Sequence, residues 1–450
     1  MRFREAQCVQ SEMLSHPKGS GAARLCRSRR VMGGPRKRSG LPSKRPCALK
    51  RWMALKSQFV PLLCTVTFVT VGVGLAVQII EAGHFGTSTK SLVVAANASS
   101  TSRKLYAVNQ SAANRGSVSV YDMDRGHSLV KTIQTVPNVA DVRGVAVSAV
   151  TGKLYVAYKS RSGVGMIYCL SVYTDAVLWN RAIDPDVDRL SIHPEAELLY
   201  VPTSEYGSAD YINVLDAETG DAVRRVHFSN RSHDTQFPLS GPIFQETKAV
   251  DGSGHYLYLI DPNSYVVSRI GPYAGILGPY AVDGMSRHVV SNVTGLWGMQ
   301  VADIKTGEIV TASIPNHPPG EPGLLHGIGW TPDESEVWES SGNDPYIFIW
   351  SMLNPMAPTL KERLILRSRG GSHWVTFDVK GDYAYVAPSK NASYETEVFD
   401  ARTDKSVGLI ESSEDMIEID FVDGRISRVG DQYGIGRITS ISERVRSPTR

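Results

Sequence analysis

The sequence predicts an all-β chain built from repeated four-stranded units, on three observations. First, two alternating apolar strands joined by a tight turn, as at 144–157 around Thr151-Gly152-Lys153, recur down the chain. Second, a Leu-Tyr-like pair marks the second strand of each hairpin, and most intervals between these pairs are close to the roughly 40–50 residues of a propeller blade. Third, an Asp-x-x-Thr-Gly-like turn follows most marked strands, as at Asp216 and Asp303. Seven such repeats predict a seven-bladed β-propeller.

The spacing of these markers is irregular in one place. The markers are Tyr106, Tyr155, Tyr200, Tyr258, Val290, Trp338 and Tyr385. The interval before Tyr258 is 58 residues and the interval after it is 32. The extra residues at 227–242 predict a long loop that crosses a propeller face and borders any ligand site, because binding residues concentrate on long loops over a rigid scaffold.

Residues 1–56 are predicted to be a disordered basic tail. They contain 15 Lys and Arg against Glu5 and Glu12 and are rich in Gly, Ser and Pro, so they cannot bury a core. Their basic runs lack interleaved aromatic residues, which disfavours a nucleic-acid-binding arm. Translation from Met53 is an alternative start, which would leave Lys56 before the apolar segment that follows.

Residues 57–81 are predicted to be a transmembrane signal-anchor or a signal peptide. The stretch 59–80 has 22 residues without a charge, enough for a helix across about 30 Å of hydrocarbon. The basic flank before it and Glu81 after it place the N-terminus in the cytoplasm and the rest of the chain outside. Gly74-Leu75-Ala76 resembles a signal-peptidase site, so secretion after cleavage is the alternative to a membrane-anchored protein at the cell surface or in the periplasm.

Net charge and cysteine content also differ between the N-terminal segments and the rest of the chain. The tail has a net charge of +13, which leaves −10 for the remainder of a chain whose total is +3. This acidic remainder is a poor candidate for binding nucleic acid or an anionic membrane surface. Only Cys169 lies in the predicted exported region, so no intramolecular disulfide is expected there.

The predicted propeller occupies residues 104–437, between a linker at 82–103 and a disordered tail at 438–450. The linker contains one short apolar strand candidate at 91–96. The last hairpin, 416–429, has no third strand after it. We expect this hairpin to join the 91–96 strand where the first and last blades meet. An eighth, partial blade is the alternative.

Four short segments carry a family resemblance. They are VSVYD at 118–122, VKTI at 130–133, GVAVS at 144–148 and LYVA at 154–157. Together they resemble the YVTN repeat β-propellers of bacterial and archaeal cell surfaces, and more distantly the seven-bladed lactonase-like and cytochrome d1-like propellers. The resemblance spans about 91–437 and implies the fold. It implies no particular activity, because one fold hosts many functions.

The candidate site is formed by the residues that begin the innermost strands, which line the central channel of a propeller. His326 in LHGIGW and His373 in SHWVTF hold the same place in adjacent blades, so we expect their imidazoles to approach each other. With a carboxylate, for which Glu418 is the candidate, they could hold a divalent metal or perform acid–base catalysis. The alternative is that each histidine only hydrogen-bonds backbone or water at the channel mouth.

Three further residues at the starts of inner strands, Arg143, Arg189 and Tyr280, are candidate ligand contacts. The two guanidinium groups could clamp an anion, or could pair with Asp141 and Asp188. The other histidines fall in predicted turns or at blade edges and are expected to be solvated: His193, His227, His233, His255, His288 and His317.

Two classes of function remain. The first is an exported binding or scaffold module that takes a protein or small-molecule ligand at one propeller face, because the sequence has no dense catalytic constellation. The alternative is a small-molecule enzyme or redox module, such as a lactonase-like hydrolase, that uses His326 and His373. A filled channel favours the first class, whereas an open funnel with both imidazoles within about 6 Å beside a carboxylate favours the second. No cofactor is predicted, with a divalent metal as the alternative.

Overall fold

Seven antiparallel sheets follow one another along the chain in the computed structural model. The structure describes residues 100–435 apart from 136–138, 194–197, 208, 229, 249–254, 317–324, 368–370 and 390–394, together with two short strands before residue 100, β1 (Ala76–Val77) and β2 (Val94–Ala95), which pair with each other. Within the described residues of 100–435, six sheets have four strands and one has five. The predicted seven-bladed, all-β propeller is therefore confirmed, and an eighth blade is excluded within the described residues.

The strands of the first three blades are β3 (Thr101–Asn109), β4 (Val118–Asp122), β5 (Ser128–Ile133), β30 (Ser413–Val422) and β31 (Arg425–Val429) in blade 1; β6 (Val139–Ser148), β7 (Lys153–Ser160), β8 (Gly165–Ser171) and β9 (Val177–Ile183) in blade 2; and β10 (Ser191–Ile192), β11 (Leu198–Pro202), β12 (Tyr211–Asp216) and β13 (Ala222–His227) in blade 3. A 3₁₀ turn at Met123–Arg125 joins β4 to β5.

The remaining strands are β14 (Arg231–Gln236), β15 (Ile243–Lys248), β16 (Leu257–Ile260) and β17 (Val267–Ile270) in blade 4; β18 (Leu277–Val282), β19 (His288–Val293), β20 (Gly298–Asp303) and β21 (Ile309–Ser313) in blade 5; β22 (Leu325–Trp330), β23 (Glu336–Ser341), β24 (Tyr346–Ser351) and β25 (Thr359–Ile365) in blade 6; and β26 (Ser372–Phe377), β27 (Tyr383–Pro388), β28 (Thr396–Asp400) and β29 (Lys405–Ile410) in blade 7. The first strand of each of these blades is innermost and contacts the first strands of its neighbours.

Blade 1 closes the ring with strands from both ends of the propeller. The position that the first strand takes in the other blades is taken here by β30, which comes from the C-terminal end of the propeller. It pairs with β3 from Thr101↔Val422 to Val108↔Asp415. The strand β31 adds a fifth strand on the other edge of β30. The hairpin at 416–429 therefore lies in the seam, as predicted. Its predicted partner was wrong, because the apolar strand at 94–95 pairs instead with Ala76–Val77.

The hydrophobic core is divided into seven layers, one at each interface between adjacent blades. Between blades 2 and 3, for example, Tyr155 packs with Leu199, and both side chains are fully buried. Between blades 6 and 7, the rings of Trp338 and Phe377 meet edge to face at 5.7 Å. Each blade buries both of its faces, so the ring needs no single central core.

The predicted Asp turns are present between the third and fourth strands. In blade 3, a side-chain oxygen of Asp216 accepts hydrogen bonds from the backbone N–H groups of Glu218 and Thr219 at 2.9 and 2.8 Å. Gly220 then adopts a φ of 74°, which glycine tolerates without strain. Blade 5 repeats the bond from the N–H of Thr306 to Asp303.

The irregular marker spacing has a structural explanation in blade 4. Tyr258 lies in β16, the third strand of its blade, and not in the second strand. Phe244 occupies the second strand, 44 residues after Tyr200 and 46 residues before Val290. The blades are thus regularly spaced, and the predicted loop at 227–242 is wrong. The middle of this stretch, Arg231–Gln236, is the innermost strand β14, which does border the candidate site described below.

The segment after β31 contacts the inner parts of blades 2 and 3. The Gln432 amide donates to the carbonyl of Leu190 at 2.7 Å and accepts from the N–H of Val145 at 3.0 Å. The Tyr433 hydroxyl donates to the carbonyl of Arg189 at 3.2 Å. Both side chains are buried, so this segment ties blades 2 and 3 together from inside the ring.

The predicted segments outside the propeller lie largely beyond the described residues. The tails at 1–56 and 438–450 are outside them, and so is the membrane segment at 57–81 apart from the paired residues Ala76–Val77. A search of the described part of the chain finds no helix of the length and apolar character that a bilayer crossing needs.

Candidate functional site

A β-bulge recurs at one level of the innermost strands. The strand pairing shifts by one residue in six blades, beside Glu414, Arg143, His233, Gly278, His326 and His373. A bulge leaves its extra residue out of the ladder and turns that side chain in a new direction. In five of these blades, all except blade 5 with its Gly278, the side chain at the bulge lines one cavity.

These residues form a cavity of about 80 Å³, which we call the funnel. Its lining includes Glu414, Arg143, Arg189, His233, His326 and His373, so blades 1, 2, 3, 4, 6 and 7 all contribute. The volume has room for several water molecules or one small polar group.

Aromatic rings and one arginine pack together at the funnel. The guanidinium carbon of Arg189 lies 3.5 Å from the ring centre of Trp374 and 5.0 Å from that of Tyr433. All three side chains are buried. Arg189 also donates to the backbone carbonyl of Gln432 at 3.4 Å. Because Arg189 and Trp374 both line the funnel, a cation–π contact forms part of its wall.

His326 and His373 are stacked, as the sequence predicted. Their ring centres are 3.8 Å apart and the rings are inclined by 24°. Nδ1 of His326 donates to the backbone carbonyl of His373 at 3.0 Å. Burial and the neighbouring His373 lower the pKa of His326 well below its ordinary value, so this ring is neutral at pH 7. Its Nε2 is then a hydrogen-bond acceptor.

The carboxylate beside this pair is Glu414, where the sequence predicted Glu418. Nδ1 of His373 lies 3.0 Å from Oε2 of Glu414. Glu418 lies four residues further along β30, roughly 13 Å away at the rise of a strand. There it accepts from Nε of Arg103 at 3.1 Å and from the N–H of Val379 at 2.5 Å, and it does not line the funnel.

The candidate arginines are already paired with carboxylates. Arg143 contacts Asp188 at 2.8 Å and Asp141 at 3.0 Å, and Arg189 contacts Asp415 at 3.2 Å. Burial alone would lower the pKa of Arg143, but Asp188 and Asp141 raise it. Of the two alternatives in the sequence, ion pairing is thus the one that the structure contains.

Tyr280 lies away from the funnel. Its side chain is buried in the layer between blades 4 and 5, and its hydroxyl donates to the carbonyl of Phe244 at 2.9 Å. Burial raises the pKa of this phenol well above its ordinary value. The structure thus gives Tyr280 a packing position between two blades.

His233 belongs to the funnel, and the expectation that it is solvated is wrong. It is 4% exposed, and its Nδ1 lies 2.8 Å from Oε2 of Glu246 and 3.3 Å from Oδ1 of Asp234. Burial lowers the pKa of His233, but Asp234, Glu205 and Glu246 outweigh this and raise it to about 9. The strands that carry these groups, RSHDTQ and IFQETK, are buried although most of their residues are polar, and hydrophobic periodicity does not reveal a buried polar strand.

An ion network surrounds His233. Nε2 of His233 lies 3.9 Å from Glu205, and the Lys248 ammonium contacts both Glu205, at 3.8 Å, and Glu246. Burial raises the pKa of Glu205, but His233 and Lys248 lower it to about 2. Glu205 is therefore ionised beside the cationic side chains of His233 and Lys248.

Comparison with known proteins supports the fold. No family model matches the chain, and no curated protein matches its sequence. A solved structure of a protein from Lactobacillus plantarum is similar over 70% of this chain and 99% of its own, with a TM-score of 0.54 and 12% identity. Hydrazine synthase from Kuenenia stuttgartiensis matches over 62% of this chain and 88% of its own, with a TM-score of 0.49 and 13% identity.

The dihydro-heme d1 dehydrogenase NirN, in complex with DHE, matches over 71% of this chain and 75% of its own, with a TM-score of 0.47 and 14% identity. At such identities the similarity concerns the fold alone. Fold and site together define a seven-bladed β-propeller with a polar funnel lined by six of its blades. Membership in the YVTN repeat family stays a prediction.

Proposed function

We propose that this protein is a binding module that holds a small polar ligand, or a protruding polar side chain of a partner protein, in the funnel. The observation that carries this proposal is the convergence of charged and aromatic side chains from six blades on one cavity. Concave sites with a few converging polar groups are the usual form of ligand sites.

The chemistry of the funnel favours a ligand that donates hydrogen bonds. Within the described residues no hydrogen bond reaches Nε2 of His326 or of His373. Oε1 of Glu414 is buried and likewise has no hydrogen-bond partner there. The arginines are neutralised by their own carboxylates, which disfavours an anion. An amine or a hydroxyl-rich molecule would supply donors to these acceptors, and an unpaired buried acceptor costs about 1–3 kcal/mol.

This proposal is tested by calorimetric titration with two panels, small amines and polyols on one side and small carboxylates on the other. We expect a donor-bearing compound to bind, and Glu414→Gln together with His326→Gln to weaken it at least about tenfold, which corresponds to about 1.4 kcal/mol. Glu397→Gln is the matched control, since Glu397 is a buried carboxylate outside the funnel. Binding of carboxylates alone, or equal binding by all variants, would contradict the proposal.

We also propose that the propeller acts outside the cytoplasm, held by residues 59–80 as an anchor or released after their cleavage. The uncharged stretch with its basic flank supports this. Protease treatment of intact and permeabilised cells of the source organism tests it. Digestion of the propeller in intact cells, or its presence in the medium, is expected, and protection until the inner membrane is opened would contradict it.

A second candidate function is a small-molecule hydrolase of the lactonase type. The stacked imidazoles meet the separation expected for it, and the contact of His373 with Glu414 orients the ring as a general base. The described residues that line the funnel include no Ser, Thr or Cys, so the base would have to activate water. A panel of lactones tests this candidate: turnover that falls by about 10²–10⁴ in His373→Gln would support it. Absence of turnover in the wild type would leave only binding.

A further inference from the structure

The bulge of blade 4 brings together three side chains that a regular ladder would separate. Neighbouring residues of a strand point to opposite faces. Here the pairing shifts between Ser232 and Thr235, so that His233 and Asp234 together oppose the single residue Glu246 of β15. The donor atoms of these three residues all lie within 4.8 Å of one another.

We propose that His233, Asp234 and Glu246 form a buried site for one divalent metal ion in the wall of the funnel. One imidazole and two carboxylates are donors suited to Mn²⁺, Fe²⁺ or Zn²⁺. This site is separate from the stacked histidines, and it does not depend on the ligand proposed above.

The distances fit such an ion. Nδ1 of His233 lies 2.8 Å from Oε2 of Glu246 and 3.3 Å from Oδ1 of Asp234. An ion about 2.1 Å from each donor places neighbouring donors roughly 3.0–3.5 Å apart. Movements of a few tenths of an ångström in the side chains would therefore complete the coordination.

The carboxylate of Asp234 points to a missing partner. Its side chain is fully buried, and within the described residues neither oxygen accepts a hydrogen bond. The nearest arginine nitrogen, Nε of Arg189, is 3.7 Å from Oδ1 and likewise makes no hydrogen bond there. Buried carboxyl groups are otherwise hydrogen-bonded or bound to metals, because leaving a buried polar group without a partner is costly. A divalent ion at this point would be a partner for the carboxylate oxygens of Asp234.

Neighbouring groups orient the proposed ligands. The Lys248 ammonium contacts the other oxygen of Glu246 and donates to the carbonyl of Leu277 at 2.9 Å, which leaves Oε2 turned toward His233. Such outer contacts of ligating carboxylates fix the direction of the donor atom. Because His233 also lines the funnel, an ion can reach the site from solvent. A proton on Nδ1 of His233, hydrogen-bonded to Glu246, is the competing occupant.

The experiment is equilibrium dialysis of the purified full chain against micromolar Mn²⁺, with bound metal read by electron paramagnetic resonance and elemental analysis. Mn²⁺ is the probe because it prefers oxygen and imidazole donors, whereas the cysteines at 8, 26, 47 and 64 attract softer metals. We expect about one ion per chain. Glu246→Gln and Asp234→Asn should each weaken binding by about tenfold or more.

Two controls make the result decisive. Glu339→Gln removes a carboxylate that is equally buried, in the second strand of blade 6, and should bind Mn²⁺ like the wild type. Thermal unfolding of each variant shows whether it is folded. The wild type and Glu339→Gln should gain stability with Mn²⁺ and lose that gain with chelator, whereas Glu246→Gln and Asp234→Asn should gain little. No stoichiometric Mn²⁺ in the wild type would overturn the proposal. The proposal would also be overturned if the double variant His326→Gln, His373→Gln lost the ion while folded Asp234→Asn retained it.

Discussion

His127 is a histidine that the fold keeps neutral. It follows the 3₁₀ turn with a φ of 58°, and its Nε2 lies 2.9 Å from the hydroxyl of Tyr385 in blade 7. Its ring also packs edge-on against Tyr383 at 4.7 Å. Burial, with a smaller effect of Arg103, lowers the pKa of His127 to about 4. His127 thus forms a polar contact across the interface between blades 1 and 7.

This depressed pKa makes stability depend on pH. Below the ordinary histidine pKa of about 6.5, His127 binds a proton in the unfolded chain but not in the folded chain. The free energy of unfolding therefore decreases as the pH falls toward 4. In His127→Asn this linkage is absent, and asparagine tolerates a positive φ. From pH 7.5 to pH 5 we expect the wild type to lose about 2 kcal/mol more free energy of unfolding than the variant. Urea denaturation at both values measures this, and an equal loss in both proteins would contradict it.

At the scale of the element, the repeated bulge sets how closely adjacent inner strands approach. Gly327 follows His326 in the bulge of blade 6. A Cβ atom at this position would meet the carbonyl oxygen of His373 and would lie 2.5 Å from Cα of Trp374. Both are backbone atoms of the adjacent strand, so they cannot turn aside. The absence of a side chain at Gly327 therefore permits the stacking of the two histidines.

A matched pair of glycine substitutions tests this contact. Gly327→Ala should lower the free energy of unfolding by about 1–3 kcal/mol, because it overpacks the interface between blades 6 and 7. It should also weaken any ligand that binds Nε2 of both histidines. Gly408→Ala, in the outer strand β29, adds a methyl group that meets no atom within 4 Å, and stability should change little. Chemical denaturation measures the free energy of unfolding of both variants, and equal values would contradict the prediction.

At the scale of the whole molecule, the pairing of one strand from each end of the propeller closes the ring. The strand β30 joins β3 more than 300 residues earlier, and Ser100 and Asp423 extend the pairing beyond the strand ends with a backbone bond of 2.9 Å. Closure in this way leaves no open face between the first and last blades, so the apolar layer there stays covered.

A disulfide across this seam should stabilise the ring. Thr101 and Val422 are direct partners at the exposed end of the pairing, so Thr101→Cys with Val422→Cys places two cysteines opposite each other. The oxidised variant should gain about 2–4 kcal/mol in free energy of unfolding. Reducing agent should remove the gain, and the single variant Thr101→Cys should show none. Mass spectrometry of the linked peptide confirms the bond, and a linked protein no more stable than the reduced one would contradict the prediction.

The sequence by itself determined the features that depend on local or periodic chemistry. The alternation of apolar residues, the Asp turns and the spacing of the Leu-Tyr pairs predicted seven four-stranded blades, because each is a property of a few neighbouring residues repeated along the chain. Equivalent positions in adjacent blades also predicted that His326 and His373 meet, and their rings stack at 3.8 Å.

The tertiary structure alone decided which other side chains reach the funnel. A one-residue shift in pairing turns a side chain to a different face, so the bulge places Glu414 beside His373, where Glu418 was predicted, and Tyr280 lies between blades. The polar strand β14 escaped detection because hydrophobic periodicity identifies only strands that bury apolar residues. His233, Asp234 and Glu246 are buried there by the closing of the whole ring, which no local pattern encodes.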